Sequence, residues 1–231
     1  MKSYFFLLIA IICLNVNAQD EIPRLKIASY SDRSLIPLSF RSMQVDCVRL
    51  TNSKGDSSLN YQIISGIVES MDSGQKEIIA ENGFLSETAK HLIRSTKPGL
   101  FKISVYYKNI RTEEKGESQM MFSLGISPEI VFGNITNGDS LVDRNSILSI
   151  SQIFMGFSHI PEANDFFRIK SGTLTAEGSE MTGLILEGGH LDQTCLAILQ
   201  NPDSKNITLN INWVDGNNIG RKSSFWFKIN A

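Results

Sequence analysis

The residues with the readiest acid–base and metal chemistry in this 231-residue chain are His91, His159 and His190. None stands in an HxH or HExxH arrangement, and none has a ligand partner at zinc spacing. His190, in the run E-G-G-H-L-D, is the best placed, because Gly188-Gly189 would let a ligand approach a helix start. A loop histidine preceding a helix is the simpler account. The carboxylates are equally dispersed. Glu113 and Glu114 share a charged turn, and Asp143 and Glu162 fall in separate loops, so no glycosidase pair is visible. Asp139, Asp143 and Asp215 are oxygen donors, yet no loop supplies the regularly spaced oxygens that calcium demands. No GxSxG elbow, P-loop or dinucleotide glycine pattern occurs. The expectation is a protein with no catalytic residue, no cofactor and no metal site, hence not an enzyme.

Aromatic residues are the better candidates for binding. In Phe225-Trp226-Phe227 a strand would bury the outer pair and turn Trp226 the other way, toward solvent, a second domain or a partner. Tyr106 and Tyr107 could add a stacking platform for a glycan. Trp226, Tyr106 and Tyr107 are therefore the candidate partner-binding residues.

These side chains are positioned by strands. Pro23 to Tyr30 alternates weakly as a first strand, and Leu35-Ile36-Pro37-Leu38 is a proline-interrupted edge strand. Met43 to Leu50 alternates with Met43, Val45 and Cys47 inward, Val48 as a further candidate for that face, and Gln44 and Asp46 outward. Tyr61 to Val68 is a strand in which Gly66 marks a bulge, and Ile78 to Ala80 is a short one. Glu87 to Arg94 fits either a short helix or an irregular approach to the next strand. Phe101, Ile103 and Val105 alternate, the chain turns through Arg111 to Gly116, and Met120, Phe122 and Leu124 return. Strands at roughly ten-residue intervals, parted by Gly, Asn, Asp and Ser, predict an all-β sandwich.

Pro128 marks a joint, and Gly133 to Asp139 is the densest turn signal. Ser146 to Phe157 suits strand and helix spacing alike, while Phe166 to Leu174 reads as a strand that Met181 to Leu186 extends into a sheet. One helix is well marked: Asp192 as N-cap, Leu191 and Leu196 as a staple, and Asn201-Pro202 as the stop. Ile207 to Trp213 and Phe225 to Ile229 close the chain as a hairpin through Asp215-Gly216-Asn217-Asn218. No internal sequence repeat and no low-complexity linker is evident. The fold expectation is mainly β: two tandem Ig-like β-sandwich domains over 19–126 and 127–231, the second with one short helix.

Composition narrows the class. Apolar residues make up 42% and charged residues 20%, ordinary values for a folded chain. Lys2, an uncharged apolar run from Tyr4 to Leu14, and Val16-Asn17-Ala18 have the form of a signal peptide, 1–18, cut after Ala18. The run is short for a membrane span, and Ile12 before Cys13 disfavours a lipid anchor. Without Lys2 the remaining charges are 21 basic against 24 acidic, with no basic cluster, so nucleic acid is not an expected partner. Cys47 and Cys195 would remain. Export permits a disulfide, but spacing cannot pair them, and two buried thiols are the simpler reading.

Several of these segments resemble one known family. PGLFKISVYYKN, the return strand ending MMFSLGISPEIVFGNITNG, the strand FFRIKSGTL and the closing DGNNIGRKSSFWFKIN are similar to the C-terminal domains of GldM/PorM, periplasmic components of Bacteroidota gliding and type IX secretion. Phe122, Pro128, Gly133, Gly138, Phe167, Asp215, Gly216, Arg221, Lys222, Phe227, Lys228 and Ile229 fall in corresponding places. The match covers 95–231 well, and residues 22–95 only as a generic preceding β-domain. The family's transmembrane helix and helical domain have no counterpart here, so energy transduction does not carry over. What the resemblance implies is a non-enzymatic, periplasmic or otherwise extracytoplasmic scaffold that binds envelope proteins, outer-membrane-associated secretion or gliding components among them. The alternative is a surface glycan-binding or adhesin-type sandwich.

Overall fold

The structure is a computed structural model that describes residues 22–43, 45–52, 60–95, 97–139, 141–157, 160, 163 and 165–230. The expected signal segment and its cut, Cys13, His159 and Glu162 lie outside the described residues.

The first half contains β1 (Arg24–Ile27), β2 (Ser34–Ile36), a 3-10 turn (Leu38–Ser42), β3 (Val48–Thr51), β4 (Tyr61–Ser70), β5 (Lys76–Ile79), helix α1 (Glu87–Ser95), β6 (Gly99–Asn109) and β7 (Lys115–Leu124). The second contains β8 (Glu129–Val131), helix α2 (Arg144–Ile147), β9 (Phe154–Gly156), β10 (Arg168–Ala176), β11 (Thr182–Ile185), helix α3 (Gln193–Gln200), β12 (Asn206–Val214) and β13 (Gly220–Lys228). The larger sheets run β2-β7-β6-β4-β5 and β11-β10-β12-β13, and each half adds a two-stranded sheet, β1-β3 or β8-β9. Leu25, Ile27, Val48 and Leu50 of the small sheet join Val68, Ile103 and Phe122 of the large one in a single core. A second core gathers Phe132, Met155, Leu174, Ile211 and Phe227. The architecture is mainly β, with two sandwich units.

The two units are copies of one plan. β1 pairs with β3 from Arg24–Thr51 to Ile27–Val48, and the three pairs of β8 with β9, Glu129–Gly156 to Val131–Phe154, lie 105 residues on from Arg24–Thr51 to Lys26–Arg49. The bulge of β4 between Ile63 and Ser65 returns in β10 between Ile169 and Ser171, now 106 residues on. Gly66 and Gly172 follow these bulges, and in both a Cβ would lie 2.6 Å from a neighbouring strand's carbonyl oxygen. Ile79 bridges Leu85 as Ile185 bridges Leu191. Gly83 and Gly189 have φ of 82° and 83°, and each passes within reach of a backbone carbonyl, Val48 or Ile153, that a side chain would strike. Glu87–Ser95 is therefore a helix because its unit is the template of α3. Ser86 accepts the Ala89 N–H at 3.0 Å, where Asp192 accepts the Cys195 N–H at 2.7 Å. The helix settles the choice that sequence left open between a short helix and an irregular approach over Glu87–Arg94; the duplication was not expected.

Two details correct the strand reading. Residues 43 and 45–47 are not in a regular strand; the 3-10 turn ends at Ser42, regular pairing begins at Val48, and it is Val48 and Leu50 that are buried. Met43 is exposed. The expected bulge near Gly66 is present, but it lies at Ile64, and the glycine serves close approach to β6 instead. Leu35 does lie in an edge strand, β2, held parallel to β7. Among the described residues no helix is long and apolar enough to cross a membrane.

Candidate interaction site

The units meet where the Ser31–Arg33 turn of the first receives the Asp215–Asn217 hairpin tip of the second. β7 has an open edge before its short pairing with β2, and the turn is fastened there. The Met121 N–H donates to the Asp32 carboxylate at 2.7 Å, and the Arg33 N–H donates to the Met121 carbonyl at 2.7 Å. Facing the second unit, the Ser31 hydroxyl donates to the Gly216 carbonyl (3.1 Å) and to Asn217 Oδ1 (2.9 Å). The Gly216 N–H donates to the Arg33 carbonyl (2.8 Å), and the Arg33 guanidinium to the Asp165 carbonyl (3.1 Å). Around these bonds Leu35, Met71, Met121 and Leu100 of the first unit pack on the core of the second.

Asp215 shapes the tip. Its Oδ1 accepts N–H bonds from Asn217 (2.9 Å) and Ile219 (3.1 Å), and the buried carboxylate faces Arg221 at 3.6 Å. Gly216 is required by space alone: a Cβ would lie 1.7 Å from the Asp32 carbonyl oxygen. Asp215, Gly216 and Arg221, singled out by the family resemblance as hairpin residues, thus build the contact between units.

The same surface recurs on the second unit, facing away from the seam. Asn137 Oδ1 accepts the Trp226 N–H at 2.9 Å, and the Gly138 N–H donates to the Trp226 carbonyl at 2.7 Å. Thr136 stands where Ser31 stands and Trp226 where Met121 stands. Leu141, at φ 64° between the backbone bonds of Asp139 and Val142 to Lys228, is an exposed apolar neighbour without the strand conformation of Leu35. Trp226 is 45% exposed and Leu141 68%. A groove of about 500 Å³ next to Trp226 is lined by Pro128, Glu129, Thr136, Asn137, Ser224 and Phe225, without Leu141. Its counterpart on the first unit, about 700 Å³, is lined by Pro23, Arg24, Ser31, Asp32, Ser118 and Gln119, with Gly216 of the second unit as part of its wall.

The sequence candidates separate. Trp226 lies on the exposed face just described, outside the seam. Tyr106 is 54% exposed but sits in β6 of the other unit. Tyr107 requires correction: it is 9% exposed, edge-on to Tyr61 at 5.3 Å, and its hydroxyl occupies the space beside Gly116. Alternation along β6 sends it into the core, so its ring is not a stacking platform. The three do not form one site. Leu141 and Thr136 were missed, and only the offset between the units points to them.

The acid and sulfur groups have structural duties. Asp139 accepts the Thr136 N–H at 2.6 Å, and Asp143 caps α2 by accepting the Asn145 N–H at 3.1 Å. Arg144 donates to the carbonyls of Leu199, Asn201, Pro202 and Ser204, closing the end of α3. His190 is exposed and bridges Gln152 through its backbone. Cys47 and Cys195 are both free thiols, the first half-buried. Burial, with the Asp192 carboxylate beside it, pushes the Cys195 thiol up to about 12, which leaves it protonated and inert. Among the described residues no three His, Cys, Asp or Glu side chains cluster as metal ligands.

No family model matches the chain, and no curated protein matches it by sequence. Solved structures are similar only distantly. The YadV chaperone is 9% identical over 88% of this chain and 99% of its own, with a TM-score of 0.34. The Pseudomonas aeruginosa CupB2 chaperone is 9% identical over 89% and 100%, with a TM-score of 0.31. Drosophila N-cadherin EC1-4 is 10% identical over 91% of this chain and 49% of its own, at 0.23.

Proposed function

We propose that this protein is a non-enzymatic binding or scaffold module of the bacterial envelope, exported by its N-terminal segment and similar in role to the C-terminal domains of GldM/PorM. The observation that carries the binding role is the exposed Trp226–Leu141 face, where a large aromatic side chain stands beside a groove rather than in the core. Backbone at the open edges of β8 and β13 gives a partner hydrogen-bonding groups as well as apolar contact. The envelope location and the kinship with GldM/PorM are supported by the signal-like N-terminus and the quoted hairpin motifs.

Affinity isolation of the tagged protein from an envelope fraction tests this reading. Secretion or gliding components are expected to co-purify, and Trp226→Asp is expected to lose them. Recovery of the protein alone would overturn the scaffold role. Glycan-array binding abolished by Trp226→Ala, with no protein partner, would replace it with the adhesin reading.

A further inference from the structure

The duplication makes one half of the molecule a template for reading the other. The first unit shows what its Ser31–Arg33 face is for: it holds a hairpin tip whose glycine presents both N–H and C=O to the turn. The second unit carries the same face with its parts conserved in kind. Thr136 retains the hydroxyl that donates to the tip. Asn137 retains the side-chain oxygen that fastens the turn to the edge strand. Gly138 retains the backbone fastening, and at φ 87° it keeps the left-handed conformation that Arg33 holds at 60°. Trp226 retains an apolar flank and is exposed, where Met121 is covered by the neighbouring core, and Leu141 adds a second exposed apolar side chain next to the Val142–Lys228 backbone bond. Three positions change character: Arg33, whose guanidinium reaches the Asp165 carbonyl across the seam, becomes Gly138, and Met71 and Leu100 become Glu177 and Asn206, whose side chains bond each other.

We propose that this face of the second unit docks the Asp-Gly or Asn-Gly hairpin tip of a β unit carried by another protein, in the head-to-tail register that joins the two units here. The inference rests on the reading of the chain as a binding module and adds the chemistry of the partner. A heterologous contact of this type repeats unless something ends it. In this chain the end is built in. The first unit's tip carries Ile110 where the second carries Gly216, and the β6–β7 turn holds one residue more than the β12–β13 turn. The Cβ of Ile110 would fall where a Gly216 Cβ would meet a carbonyl oxygen at 1.7 Å. The Asp215–Asn217 tip is already held in the seam of its own chain. Neither tip of a second copy can therefore enter, and the occupant comes from a different protein. That partner presents glycine at the contact, a side-chain acceptor such as asparagine after it to meet the Thr136 hydroxyl, and polar groups toward Glu177 and Asn206.

The full-length chain supplies the probe. Asn109–Glu114 is replaced by the sequence of Asp215–Ile219, which already closes the corresponding hairpin, and mass is followed by sedimentation over a concentration series. The unaltered chain is expected to remain monomeric. The grafted chain is expected to associate, with average mass at least doubling as concentration rises. Trp226→Asp or Leu141→Asp in the grafted chain should each restore the monomer. A folded grafted chain that stays monomeric would sink the proposal, as would association indifferent to Trp226→Asp. Self-association of the unaltered chain through Trp226 would replace the foreign partner with a second copy. Envelope partners still captured by a grafted chain that stays monomeric would leave the binding role standing and remove only the head-to-tail register.

Discussion

The two units share a plan but treat one surface oppositely. On the first, the turn after β1 and the open edge of β7 are covered by the second unit; on the second, the turn after β8 and the open edge of β13 face solvent. Their tips differ in the reverse sense: Gly216 enters a contact and Ile110, 51% exposed, does not. Two equivalent hairpin tips thus differ in side chain and in turn length, and only the one with glycine sits in the seam. The lesson is that in a duplicated protein the difference between equivalent positions locates function better than either position alone.

The largest break in this comparison is Gly216→Ala. With a Cβ 1.7 Å from the Asp32 carbonyl, neither backbone can yield without giving up the bonds of Ser31 and Arg33. Overpacking of this severity costs about 3 kcal/mol. Calorimetry should show unfolding at a lower temperature than in the unaltered chain, or in separate steps, and proteolysis should begin at Gly125–Pro128 between the units. Ile110→Ala, at the equivalent tip, should change stability by less than about 0.5 kcal/mol, as exposed substitutions do. Equal effects at the two positions would remove the asymmetry.

The helix caps give a smaller and pH-resolved contrast. Ser86 and Asp192 occupy equivalent N-caps, and replacing either by Ala should cost about 1 kcal/mol near neutral pH. Burial tends to raise the Asp192 carboxyl, but N–H groups at the start of α3, that of Cys195 first, outweigh it and hold the group below its ordinary value. A carboxylate whose folded value lies below its unfolded value, about 3.9, stabilises the fold above that pH and loses the contribution as pH falls through the folded value. Denaturant titrations should therefore show the Asp192→Ala cost shrinking with acidification below about pH 4 while the Ser86→Ala cost stays constant. Parallel pH behaviour would contradict the ionic capping.

Much of this was legible from sequence. Alternation gave β4, β6, β7, β12 and β13, because a half-buried strand must alternate. The Asp192 cap and the Asn201-Pro202 stop gave α3 because those residues act locally. Glu87–Ser95 stayed ambiguous because its capping residue, Ser86, was not set beside Asp192. The repeat itself was readable in retrospect: E-N-G-F-L-S-E-T at 81–88 and E-G-G-H-L-D-Q-T at 187–194 keep Glu, Gly, Leu and Thr in step. These positions are a turn glycine, a bridge residue and a helix entry, which selection on geometry preserves while the core drifts among Ile, Leu and Val. The seam was hidden because it depends on where Asp32 meets Gly216, far apart in the chain. Tyr107 was misplaced because neighbouring tyrosines in a strand face opposite ways and both were taken as accessible.

Met121 and Trp226 give the smallest expected effect on stability and the sharpest one on meaning. They are equivalent residues on equivalent edges, each with its backbone fastened to the turn by two hydrogen bonds that a substitution leaves in place. Met121→Asp sets a carboxylate against the second unit's core and should cost about 1–2 kcal/mol in lost apolar burial and desolvation. Trp226→Asp uncovers only the Gly138 backbone, over which the half-exposed indole lies, and should cost less than Met121→Asp, about 0.5 kcal/mol by chemical denaturation. A residue that contributes so little to its own fold, at the position where its twin joins two units, has its aromatic ring available for a partner. A Trp226→Asp cost as large as that of Met121→Asp would instead make the ring part of the second unit's own packing.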